Sequence, residues 1–92
     1  MDSDVPWQVV WNDKVYDDLA ALNKTTARKI IARVESYLVQ DPVNLGKPLT
    51  GSLTGISRYR YGDYRILYVM DFETHTVTIL TVRHRREAYR KK

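Results

Sequence analysis

Cysteine is absent from the 92 residues. There is therefore no disulfide framework and no thiolate metal site, and the core must stand alone or with help from a partner. Long apolar runs are also missing. No stretch approaches the roughly 20 residues of a membrane-spanning helix. The first residues, Met1-Asp2-Ser3-Asp4, are acidic and lead into no apolar segment, which argues against a secretory signal. Internal repeats, low-complexity segments and a second domain are lacking too. These absences lead to the expectation of one soluble cytoplasmic domain, residues 1–92. Its 43% hydrophobic content supports a real but thin core.

What is present in excess is positive charge. The formal net charge is +4, a modest pointer to an anionic partner. Its distribution says more. From Arg58 onward nine Lys/Arg face four acids, Asp63, Asp71, Glu73 and Glu87. The last ten residues alone hold six Lys/Arg, one His and one Tyr. Such a run has the parts to hold a phosphate backbone, stack a base and move a proton.

Taken in order, residues 6–11 are rich in β-branched and aromatic residues and read as a strand. Trp7, Val9 and Trp11 share one face of it. Asn12 suits a helix N-cap, and Val15, Tyr16, Leu19 and Leu22 recur at helical spacing, giving a short helix that ends near Asn23. Thr25 or Thr26 is a candidate cap for a second helix, whose apolar positions are Ala27, Ile30, Ile31, Val34, Tyr37 and Leu38. Asp41-Pro42 should end it. Residues 42–55 form a connector, with Leu45, Leu49 and Leu53 expected to anchor it to the core. Three strands follow, at 56–61, 64–71 and 76–83, the first pair joined by the two-residue loop Gly62-Asp63. His75 falls in a turn and reads as a surface residue. The residues from about Arg86 suit a short helix or a tail. The fold class is α/β in the α+β sense: a small antiparallel sheet with an N-terminal strand and a two-helix hairpin packed on it.

The hairpin sets the chemistry. A two-residue loop places Arg60 opposite Arg65 and Arg58 opposite Leu67, and opposed residues share a face. Arg58, Arg60 and Arg65 should therefore project together. Opposed like charges destabilise a sheet unless an anion sits between them, and arginine grips phosphate bidentately. Otherwise this is an exposed, solvated face. The last strand runs back toward Arg65 and brings Val82 to Arg85 with it. Leu67 and Val69 on the arginine face suggest a second, smaller core.

The segment Gly62-Asp63-Tyr64-Arg65-Ile66-Leu67-Tyr68, followed by Val82-Arg83-His84-Arg85-Arg86-Glu87-Ala88-Tyr89 and preceded by Leu45-Gly46-Lys47-Pro48-Leu49, is similar to the RelE/ParE superfamily of bacterial toxins, within it to the RelE-like ribonucleases. The resemblance spans essentially the whole chain. It implies a metal- and cofactor-free endoribonuclease acting on mRNA in the ribosomal A site, beside 16S rRNA, and inhibiting translation. The RNA 2′-hydroxyl would attack the adjacent phosphate. It further implies a partner, a RelB-like antitoxin that is partly disordered and acidic, and no membrane association.

Residue by residue, Arg65 matches a phosphate-stabilising arginine, Arg85 a catalytic arginine and Tyr89 a tyrosine that stacks on or orients the nucleotide. Arg58 and Arg60 stand where relatives carry lysines. Arginine keeps its proton in proteins, so another group must serve as base. His84, the side chain of the cluster that titrates near neutrality, is the candidate. Its alternative reading is a strand-end packing residue. Arg58, Arg60, Arg83, Arg86, Arg90, Lys91 and Lys92 are expected to bind RNA. Two other functions stay open: a ParE-like, non-enzymatic inhibitor of DNA gyrase, and a catalytically degenerate homologue that binds only RNA or its antitoxin.

Overall fold

The computed structural model describes residues 5–85. Strand β1 is Gln8–Trp11, followed by helices α1 (Asp13–Ala20) and α2 (Lys24–Ser36) and the single turn α3 (Pro42–Leu45). Strands β2 (Lys47–Pro48), β3 (Ser57–Tyr61), β4 (Tyr64–Asp71) and β5 (Thr76–His84) complete one sheet in the order β1-β5-β4-β3-β2. The α+β expectation holds. The sheet is mixed, however, because β1 lies parallel to β5 while the other three ladders are antiparallel. The helices and strands β2–β4, which lie between β1 and β5 in sequence, supply the long connection that parallel strands need. Among the described residues, no helix is long and apolar enough to cross a membrane.

Capping residues fix the helices. Asn12 caps α1, its side chain accepting from the Lys14 N–H at 3.0 Å. Asn23, rather than Thr25 or Thr26, caps α2: it accepts from the N–H groups of both threonines, at 2.8 and 3.3 Å. The joint is therefore tighter than the threonines alone suggest. Helix α2 stops at Ser36, before Asp41-Pro42; Tyr37 caps it in a non-helical conformation and a 3₁₀ turn over Leu38–Gln40 follows. Tyr37 is 44% exposed, not a core residue.

The core lies between the helices and one sheet face. Val15, Ile30, Val34, Leu38, Ile66, Tyr68, Val77 and Ile79 are fully buried there, each aliphatic residue contributing roughly 1.5–3 kcal/mol. Trp7, Val9 and Trp11 pack against it as expected. His75 is not a bare surface residue. It is half-buried at a φ of 58°, stacks on Trp7 at 4.2 Å, and its Nε2 lies 3.1 Å from the Val5 carbonyl.

A buried hydrogen bond fastens the start of the connector to the sheet. The buried Tyr68 hydroxyl donates to the Pro42 carbonyl at 2.6 Å. Gly46 follows closely, and any Cβ there would collide with that hydroxyl and with the Arg58 carbonyl. The contact lets the chain turn into β2 along the edge of β3. Pro48 ends this short edge strand, the position proline tolerates. Leu45 and Leu49 are half-buried, but Leu53 is 45% exposed and anchors nothing in the core.

Candidate active site

The hairpin geometry follows the sequence expectation. Gly62 takes a φ of 58°, and the β3–β4 register pairs Tyr61 with Tyr64, Arg60 with Arg65 and Arg58 with Leu67. The tyrosines at 59, 61 and 64 turn toward the helices, where Arg33 of α2 lies 5.2 Å from the Tyr61 ring centroid. The arginines take the opposite, helix-free face.

Strand β5 decides what joins them. Leu67 pairs with Thr81 but Tyr68 pairs with Ile79, so Leu80 is an extra residue bulged out of the ladder. Before the bulge the core-facing residues are Val77 and Ile79; after it, Val82. This shift of phase puts Arg83 opposite Arg65 and His84 opposite Tyr64. The convergence of the two segments is real, but it is Arg83, not His84, that the register turns onto the arginine face. His84 is half-buried on the helix side, edge-on to Tyr64 with centroids 5.2 Å apart.

Beyond Ile79, β5 has lost β1 as its neighbour, and α1 takes over. Asp18 accepts from the Val82 N–H at 3.0 Å, and its other oxygen lies 3.8 Å from Arg83 Nε. One carboxylate thus closes the exposed strand edge and holds the guanidinium beside it. Arg85 is anchored at the hairpin tip: its N–H donates to the Asp63 carbonyl at 2.6 Å, and its guanidinium lies 4.0 Å from the Asp63 carboxylate. Both of those side chains are more than half exposed, so this pair adds about 0–1 kcal/mol.

A further cation was not foreseen. The β2–β3 register sets Lys47 opposite Arg58, and opposed residues share a face. One row across the sheet reads Lys47, Arg58, Leu67, Thr81; the next, toward the hairpin tip, reads Arg60, Arg65, Arg83. Lys47 and Arg58 also line a shallow depression of about 170 Å³ with Arg60. The electrostatic consequence falls on Arg65. Its guanidinium is pushed below the usual arginine range, first by partial desolvation and then by Arg58, Arg60 and Arg85.

Between the two rows runs a groove of about 380 Å³, lined by Leu49, Leu53, Arg58, Arg65, Leu67, Thr81 and Arg83. Leu67 lies with Leu49 and Leu53 and forms an apolar floor beside the arginines. Among the described residues, no group of three or more His, Asp or Glu is placed to hold a metal ion. Arg86, Tyr89, Arg90, Lys91 and Lys92, with the expected C-terminal helix or tail, lie outside the described residues.

Known proteins share this sequence and architecture. The family described as the ParE toxin of the type II toxin–antitoxin system, parDE, matches residues 9–89. Toxin RelE of Mycobacterium tuberculosis is 34% identical over 90 residues, 98% of this chain and 93% of the relative. Toxin RelG of the same organism is 34% identical over 87 residues, 95% of this chain and all of the relative. The crystal structure of the M. tuberculosis toxin–antitoxin complex RelBE2 aligns with a TM-score of 0.85 at 36% identity, over 88% of this chain and 93% of its counterpart. The archaeal RelE–RelB complex from Pyrococcus horikoshii aligns at 0.68 with 25% identity, over 88% and 97%. The chain belongs to the RelE/ParE superfamily of toxins from type II toxin–antitoxin systems.

Proposed function

We propose that the protein is the ribonuclease toxin of its pair, cleaving mRNA in the ribosomal A site. The observation that carries this reading is the gathering of Arg58, Arg60, Arg65 and Arg83 on one helix-free sheet face with Lys47 at its edge. The 2′-hydroxyl attacks the adjacent phosphorus, the bond to the 5′-oxygen breaks, and a 2′,3′-cyclic phosphate and a free 5′-hydroxyl result. Negative charge builds on the phosphorane oxygens, where fixed guanidiniums stabilise it without reorganising. Phosphoryl chemistry of this kind needs positioning and charge, and no metal or cofactor.

Proton transfer falls to Lys47. Arginine does not give up its proton, and His84 looks toward Tyr64 on the other face. Lys47 offers an exchangeable proton across the ladder from Arg58. The resemblance assigns Tyr89 to stack on or orient a nucleotide and Arg85 to catalysis, and in this reading Arg86, Arg90, Lys91 and Lys92 bind ribosomal RNA. The partner in the cell is a RelB-like acidic antitoxin. Relatives crystallise as complexes with RelB, and an acidic segment complements the arginine face.

The test is to express wild type and Arg65→Ala and map mRNA 5′ ends on translating ribosomes. Cleavage by wild type, reduced at least about 100-fold in the variant, is expected. Intact mRNA together with blocked gyrase supercoiling would establish the ParE-like activity instead. Ribosomal RNA binding with neither effect would mark a degenerate homologue.

A further inference from the structure

The groove beside the arginines carries a feature that phosphate binding does not require. Leu67 sits in mid-strand on the exposed face, opposite Arg58 on one side and Thr81 on the other. Leu49 and Leu53 lean over it from the connector. That part of the connector is built rather than slack. Leu49 N–H donates to the Ile56 carbonyl at 2.9 Å, Ile56 N–H to the Leu53 carbonyl at 3.0 Å, and Thr54 Oγ1 to the Gly51 carbonyl at 2.8 Å. Gly51 takes a φ of 66°, which lets the 3₁₀ turn Gly51–Leu53 form and leaves Leu53 45% exposed at the rim. Three leucines thus face three guanidiniums across one depression.

We propose that this depression is a nucleobase subsite: of the two nucleotides joined by the phosphate the arginines hold, one has its base against Leu49, Leu53 and Leu67, and the other is left to Tyr89. The inference rests on RNA being the ligand, as argued above. A nucleotide is an anion joined to a flat, weakly polar ring, and the groove has the same two halves. Leu67 and Arg65 are two positions apart on one strand, about 7 Å, so base and phosphate are engaged together. About 380 Å³ falls in the range of small-molecule pockets, roughly 300–1,000 Å³. Arg58 and Arg83 at the margin lend cation–π contact to the ring. Thr81 is the one uncharged hydrogen-bonding side chain among the described lining residues. Its hydroxyl both donates and accepts, so the subsite favours a base over no base and discriminates weakly among the four.

The full-length protein should be titrated with adenosine 5′-monophosphate and with ribose 5-phosphate, following leucine methyl resonances by NMR. Neither probe contains a cleavable linkage, so the result is independent of nuclease activity. The nucleotide is expected to bind about tenfold tighter, equivalent to about 1.4 kcal/mol, with shifts at Leu53 and Leu67. Leu53→Ser, at an exposed position, is expected to cut that advantage to about twofold while leaving ribose 5-phosphate unchanged. Equal binding of the two probes overturns the subsite, as does an advantage that survives both Leu53→Ser and Leu67→Thr. A base preference lost in Leu53→Ser upholds the subsite even if mRNA proves intact, in which case the nuclease reading alone fails.

Discussion

At the scale of single residues, Lys47 and Asp18 matter most among the groups that local pattern did not single out. Lys47→Arg keeps the charge opposite Arg58 but removes the proton that can be exchanged. Turnover on programmed ribosomes is expected to fall about 10²–10⁴-fold, with RNA affinity retained. If His84→Gln causes that loss and Lys47→Arg does not, the proton belongs to His84. Under the proposed function Asp18 acts through Arg83 and is a positioning residue. Asp18→Asn retains an acceptor for the Val82 N–H but drops the charge that holds Arg83. The expected signature is a split: kcat down about tenfold from misplacement of the guanidinium, and RNA affinity slightly raised because an acid has left a basic face. Asp18→Ala also leaves the strand edge unpaired and should lower stability by about a further 1 kcal/mol.

At the scale of elements, the site depends on how β2 is held against β3, and Tyr68 is the fastener. Burial, the largest influence, together with the nearby Asp41 and Tyr59, pushes its phenol up to about 12, against the lowering effect of a hydrogen bond with Ser57. The folded state therefore favours the neutral phenol, whose unfolded value is 10.0. The stabilisation is fully present below pH 10 and is lost as pH rises through the folded value near 12. Tyr68→Phe leaves the Pro42 carbonyl without its donor and should cost about 1–3 kcal/mol. Urea midpoints for the two proteins should differ at neutral pH and converge as the pH climbs from about 10 toward 12. Parallel curves would show that the phenol does not titrate in the folded protein.

At the scale of the whole molecule, the charge is one-sided in the fold as it is in the sequence. Helices cover one sheet face, and cations line the hairpin end of the other. Single-stranded RNA binding should then follow counterion release, with a log–log salt slope of about 0.7 per phosphate contact. Replacing Arg58 and Arg60 together by alanine is expected to reduce that slope by about 1.4, measured by fluorescence anisotropy across a salt series. A slope unchanged in the double variant would place the RNA on another surface.

The local pattern of the chain determined most of the frame. Period-two alternation and the Gly62-Asp63 turn were enough to put Arg58, Arg60 and Arg65 on one face, because side-chain direction in a strand depends only on parity. Spacing also placed Val15, Ile30 and Val34 on the buried helix faces, but Tyr16 and Tyr37, counted with them, are 60% and 44% exposed. Two decisions lay beyond local pattern. The bulge left a trace, for Ile79-Leu80 interrupts the alternation of Val77, Ile79 and Val82, yet which neighbour of the bulge faces the arginines depends on β4 as its partner. Strand β2 left none. Two residues carry no periodicity, and Lys47 reaches the site only because Gly46 lets the chain pass Tyr68 and pair with β3. Tertiary structure thus turned Arg83 rather than His84 onto the arginine face and set Lys47 opposite Arg58, since register is a property of two strands and cannot be read from one.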